Sequence, residues 1–124
     1  MRLSVALRDL AVCRLGAQEE IPRWVNLQRG FVSVTRTRDE LSIVCSASAV
    51  PPGVRYERGW AAIRLEGPID LAQAGVLAPL LMSLAEAAVP VFAISTFDTD
   101  HVLVRESMLR KAKSVLERSG HIFQ

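Results

Sequence analysis

From residue 58 onward the spacing of apolar residues changes period in a fixed order: strand, helix, strand, strand, helix. The first of these strands runs over residues 54–66, with Gly59 in its middle marking a bulge or the joint between two halves. Gly67-Pro68 breaks it. Asp70-Leu-Ala-Gln73 then has the form of a capping box, with Asp70 at the N-cap and Gln73 three residues on, and a helix is expected from there to about Ala88. Pro79 falls inside that span, so a kink or a distorted first turn is expected. Val91 to Ser95 reads as a buried strand, residues 97–100 as a polar turn, and His101 to Arg105 as its partner. Ser107 to Ser119 is amphipathic, with Met108, Leu109, Ala112, Val115 and Leu116 on one face and Gly120 placed as the C-cap. A short strand can follow at 121–124.

This is the βαββαβ order of a ferredoxin-like α+β fold. Residues 1–57 give a weaker version of it. Leu3 to Leu15 is extended, with a break at Arg8-Asp9. Residues 19–28 can hold a short helix, with Ile21, Trp24, Val25 and Leu27 on one side and Pro22 in its first turn. Phe31 to Arg36 and Leu41 to Ser46 form a hairpin candidate around Arg36-Thr37-Arg38-Asp39, and Pro51-Pro52-Gly53 closes the segment. The expected organisation is two βαββαβ-like halves packed together, a degenerate one over 1–57 and a complete one over 58–124.

Composition narrows the function. Half of the 124 residues are apolar and the net charge is +2, which supports a packed core. The basic residues are scattered, without the stripe that a nucleic-acid binder presents, so no nucleic-acid partner is expected. The N-terminus lacks the apolar core of a signal peptide, and no apolar run approaches 18 residues. A cytoplasmic chain with no membrane contact follows as the expectation. Cys13 and Cys45 sit among apolar residues and read as buried thiols, with a disulfide left open. With His101 and His121 they make no metal signature, and no cofactor is expected. Asp98 and Asp100 can be viewed as an acid–base pair, but no nucleophile–base pattern, GxSxG or phosphate-binding loop accompanies them, so no enzyme is expected.

Four stretches carry a resemblance: Phe31-Val-Ser-Val-Thr-Arg-Thr, Asp39-Glu-Leu-Ser-Ile-Val-Cys45, Glu66-Gly-Pro-Ile-Asp-Leu-Ala-Gln-Ala-Gly75, and Val91-Phe-Ala-Ile-Ser-Thr-Phe-Asp-Thr-Asp-His-Val-Leu-Val104. In order and spacing the sequence resembles short bacterial tandem-ACT proteins, whose eukaryotic relatives are cytosolic arginine sensors. The resemblance implies a non-catalytic regulatory protein that binds a small molecule, an amino acid above all, and works as a homodimer. It implies a pocket where the loop opening the first helix meets the second strand and turn. By position, the loop gives Asp70, Gln73, Gly75 and Val76, and the strand and turn give Ser95, Thr96, Phe97, Thr99 and Asp100.

The chemistry fits that implication. Helix-terminal N–H groups suit a carboxylate. A carboxylate such as Asp100 suits an ammonium or guanidinium, and Phe97 can cover an apolar stem. Each residue has a plainer role as well: Asp70 and Gln73 as caps, Asp98 and Asp100 as a solvated turn, Ser95 and Thr96 as strand residues, Gly75 as packing. Trp24 and Trp60 read as anchors of a core or an interface. Two departures from the family pattern stand out. A glycine is expected near Ala88, and the helix proline nearer Ser83 than Pro79. An ACT-like module for dimerisation or protein interaction, without a metabolite, is the alternative function.

Overall fold

The computed structural model describes all 124 residues. In chain order the elements are β1 (Arg2–Leu15), β2 (Ser33–Arg36), β3 (Leu41–Ser46), β4 (Arg55–Leu65), α1 (Leu77–Glu86), β5 (Phe92–Ser95), β6 (Asp100–Arg105), α2 (Leu109–Arg118) and β7 (Ile122–Phe123). The expected α+β class, with antiparallel strands and two helices, is the one observed. The chain divides into two compact units, one of Met1–Arg8 with Ala61–Gln124 and one of Asp9–Trp60. Both long strands, β1 and β4, pass from one unit into the other. β4 also runs through position 57, where the sequence places the end of its first half.

In the first unit the strand order is β7-β1-β4-β6-β5, with β7 parallel to β1 and the β5–β6 pair antiparallel. Alternation decides what its sheet buries. Ala61, Ile63 and Leu65 of β4 and Val102 and Val104 of β6 recur at period two and join one core. The helices cover that core from matching spacings: Leu80 and Leu84 from α1, and Leu109, Ala112 and Leu116 from α2. The second unit pairs β2 with β3 and β3 with residues 10–15 of β1, all antiparallel. Its separate core holds Ala11, Cys13, Leu15, Leu41, Ile43 and Cys45. Cys13 and Cys45 are free thiols there, and burial pushes the Cys13 thiol up to about 12 and Cys45 upward as well.

Three local expectations are corrected. Residues 19–28 form no helix. Turns occupy the segment, with the Val25 N–H donating to the Pro22 carbonyl (3.1 Å) and the Gln28 N–H to Asn26 Oδ1 (2.9 Å). Arg36 also donates to the carbonyls of Ala17 (2.5 Å) and Glu19 (2.8 Å), which ties this loop to the end of β2. The apolar residues of the pattern are spent differently: Val25 and Trp24 pack on the second core, while Ile21 and Leu27 are exposed. The break at Asp9 does not end β1. Asp9 adopts φ 48° within the strand and pairs with Arg58 at 2.6 Å, next to Gly59 at φ 83°.

The third correction concerns the first helix. It starts at Leu77, not beside Asp70, and its N-cap, Val76, gives no side-chain cap. Pro79 is therefore the third helical residue. Its missing N–H is one that the first turn leaves without an intrahelical partner anyway, so no kink is needed. At the other end the Ala88 N–H donates to the Ala85 carbonyl and the Val89 N–H to that of Leu84, both at 2.9 Å. This is a Schellman close, and it puts Ala88 at φ 60°, a left-handed conformation that explains why a glycine is expected near this position. α2 ends the same way on Gly120. A left-handed alanine carries a Cβ strain of roughly 1–2 kcal/mol, partly offset by the larger unfolded-state entropy of glycine. Ala88→Gly is therefore expected to stabilise the chain by about 0.5–1 kcal/mol, measurable as a rise in the urea midpoint with unchanged slope.

Candidate functional site

The stretch between β4 and α1, residues 66–76, folds as a loop. Asp70 directs its local shape: Oδ1 accepts from the Ala72 N–H (2.8 Å) and its carbonyl from the Gln73 N–H (2.9 Å). An aspartate turn has the same sequence form as a capping box, because both satisfy N–H groups two or three residues on. Gly75 then takes φ 76°, which lets the loop reverse into α1.

This loop is held against the β5–β6 turn. The Ile69 N–H donates to the Asp98 carbonyl (2.6 Å). The Thr99 hydroxyl donates to the Leu65 carbonyl (2.5 Å), and Thr99 is the one buried polar side chain of the core. Gly67 lies where these meet. A Cβ there would stand 3.0 Å from the Ile69 nitrogen and 3.1 Å from the Asp98 carbonyl oxygen. The turn itself is closed by Thr96, whose N–H (2.8 Å) and hydroxyl (3.1 Å) both donate to the Thr99 carbonyl. Ser95 and Asp100 face each other across the end of the hairpin, and the Ser95 hydroxyl donates to Asp100 Oδ1 (2.5 Å).

Between loop and turn lies a cleft of about 390 Å³. Asp70, Gln73, Gly75 and Val76 line it from the loop, and Ser95, Thr96, Thr99 and Asp100 from the turn. Eight of the nine residues implied by the resemblance thus share one cleft. The ninth, Phe97, lies outside its lining, 79% exposed at the tip of the turn. Ile69, Leu71, Leu77 and Ala78 also line it, and sequence reasoning missed them. Leu77 and Ala78 were unreadable as wall residues because a helix starting at residue 70 puts them in its middle. In the true first turn, their N–H groups precede any intrahelical acceptor.

The arrangement offers both signs. Asp100 supplies a carboxylate with one oxygen bonded to a hydroxyl, and the uncapped start of α1 supplies N–H donors at the positive end of a helix dipole. No group of three or more His, Cys, Asp or Glu side chains stands close enough together to hold a metal ion.

His101 follows Asp100 on β6 and is half-buried. Burial, and the positive charge of Arg64, push its pKa below the ordinary value of 6.5, against the pull of Asp100. Burial and the N-terminal ammonium do the same to His121. Both groups bind protons more readily when the chain is unfolded, so stability rises with pH across the interval below 6.5 and is lost as pH falls through it. Urea midpoints should therefore drop from pH 7 toward about pH 5, and drop less in a His101→Gln/His121→Gln double variant.

Residues 55–118 match the ACT domain family, and residues 9–53 match a family described as an N-terminal domain. A crystallised protein from Agobacterium tumefaciens is 37% identical, over 99% of this chain and 91% of that one, with a TM-score of 0.92. A Vibrio cholerae protein described as of unknown function and a possible transport protein is 18% identical over 94% and 88%, with a TM-score of 0.76. The ligand-free regulatory subunit of aspartate kinase from Thermus thermophilus shares the fold, with 12% identity over 95% and 97% and a TM-score of 0.63. No curated protein sequence matches the chain. No helix is long and apolar enough to cross a membrane. With its second half matched from 55 to 118 and a close structural relative along its whole length, the chain belongs to the ACT domain family.

Proposed function

We propose that the chain is a non-catalytic regulatory protein that binds a free amino acid in the cleft between residues 69–78 and 95–100. The observation that carries this reading is the meeting of opposite chemistries in one cleft. Uncapped helix N–H groups stand on one side and the Asp100 carboxylate on the other. An α-carboxylate would cap α1, completing donors that no side chain of the chain satisfies. An α-ammonium would meet Asp100 and the Ser95 hydroxyl in charge-assisted hydrogen bonds. The fold shared with a regulatory subunit of aspartate kinase supports a regulatory role without identifying a ligand.

Regulation follows from differential affinity. A ligand that bridges the loop and the turn stabilises whichever arrangement holds them together, and shifts any equilibrium that separates them. In this reading the chain acts in the cytoplasm as a homodimer of two-halved ACT subunits, degenerate over 1–57 and complete over 58–124. The test is a thermal-shift screen against the twenty amino acids. A ligand at 100 times its Kd adds about 2.7 kcal/mol, which is a rise of several degrees for a chain of this size. One or a few amino acids are expected to raise Tm, and Asp100→Ala to abolish the rise.

A second reading, an assembly module without a metabolite, is favoured by one observation: β5 ends the strand order of its unit and leaves a sheet edge open for pairing. It predicts a dimer whose Tm ignores every amino acid.

A further inference from the structure

A second hollow of about 470 Å³ adjoins the cleft and shares Ile69, Asp70 and Leu71 with it. Pro68, Phe97 and Asp98 complete its lining. Four of these six residues are apolar, and two of them are left open to water to an unusual degree for large apolar side chains. Phe97 is 79% exposed and Leu71 68%. Single exposed apolar residues need no explanation, but two such residues lining one hollow beside the cleft form a patch. Neither is there through slackness of the chain. The Ile69–Asp98 bond fixes the loop carrying Leu71 to the turn carrying Phe97, and the Thr96–Thr99 bond closes that turn.

We propose that this hollow is the side-chain subsite of the cleft, and that the ligand is an amino acid with a bulky apolar side chain seated between Leu71 and Phe97. The inference rests on the amino-acid reading of the cleft and adds the ligand's class. A ligand whose ammonium and carboxylate occupy the cleft reaches the hollow directly across the shared Ile69 and Leu71. Apolar chemistry is the better match there. Asp70 Oδ1 is already engaged by the Ala72 N–H, and the Asp98 carbonyl by the Ile69 N–H, so the hollow's acceptors are partly used. Ile69 already packs on the core of the first unit, whereas Leu71 and Phe97 are largely exposed and gain from an apolar occupant.

The test is isothermal titration of the full chain with leucine, phenylalanine, lysine and glycine. Leucine or phenylalanine is expected to bind at least about tenfold tighter than glycine and than lysine, a ratio equivalent to about 1.4 kcal/mol. Phe97→Ser and Leu71→Ser should each bring that ratio toward one, and Phe97→Ser, which lies outside the lining of the cleft, should leave glycine affinity unchanged. Tightest binding of lysine, equal binding of glycine, or a ratio untouched by both variants overturns the proposal and leaves the amino-acid reading standing. Failure of all four to bind, together with every other amino acid, overturns both.

Discussion

Leu84→Ala should lower the stability of the chain by about 2–5 kcal/mol, the range for a leucine truncated inside a packed core. Leu84 is fully buried in the first unit, one helical turn after Leu80, and it belongs to the same core as Ile63, Leu65 and Val102. Its methyl groups have no route to water, and the strands beneath cannot close on the space left behind without breaking their ladder. The cost therefore contains both the lost transfer free energy and the cavity. Urea titration should show a lower midpoint at an unchanged slope. A loss below about 1 kcal/mol would mean that α1 does not close this core. Leu84 is the better choice than Leu80, because Leu80 lies close to the uncapped turn and its truncation would perturb the cleft as well.

Gly67→Ala acts on the joint between loop and turn. The new Cβ would meet the Ile69 nitrogen at 3.0 Å and the Asp98 carbonyl oxygen at 3.1 Å. Both are backbone atoms joined to each other by a hydrogen bond, so neither can yield as a flexible side chain would. Relief requires the loop to move off the turn, which breaks the Ile69–Asp98 bond and pulls the two walls of the cleft apart. The expected cost is about 1–3 kcal/mol, typical of overpacking at a tight site. The amino-acid-induced rise in Tm should disappear with it. A variant that keeps both its stability and its ligand response would show that the wall spacing is not set at Gly67.

Both consequences depend on features of unequal visibility in the sequence. Most strands and α2 were legible because their apolar periods are unambiguous: Leu41, Ile43 and Cys45 alternate, and Leu109, Ala112 and Leu116 follow helical spacing. The exception is Val91 to Ser95, read as buried, because β5 is the last strand of its sheet and alternates half-buried with exposed residues. The hairpins followed from the breakers between such runs. Segment 19–28 was misread because Trp24 and Val25 are apolar for the sake of the second core, while Pro22 and Asn26 commit the backbone to turns. The start of α1 was misread because Asp70 and Gln73 satisfy an aspartate turn and a capping box equally well on paper. Gly75 and Pro79 carried the better signal. A glycine with positive φ followed four residues later by a proline fits a helix that begins between them.

The candidate site divides along the same line. Its turn wall, Ser95 to Asp100, was legible because polar residues interrupt an apolar strand pair there. Its helix wall, Leu77 and Ala78, contributes backbone N–H groups, which no side-chain pattern reveals. Phe97 was grouped with the cleft by position in the motif, whereas its place at the tip of the turn puts it on the adjoining hollow. The departure at Ala88 proved local, since it falls at the far end of α1 from the cleft and changes the helix close, not the pocket wall.

Amino-acid binding between loop and turn is the central claim, and amide chemical-shift mapping tests it most directly. The ¹⁵N-labelled chain would be titrated with the amino acid that raises Tm most, or with leucine if none does. The account predicts saturable shifts at the amides of residues 69–78 and 95–100, with those of Leu77, Ala78 and Asp100 among the largest. Asp100→Ala should remove them. Spectra unchanged by any amino acid, or shifts gathered on residues 9–60 with the cleft silent, would contradict it.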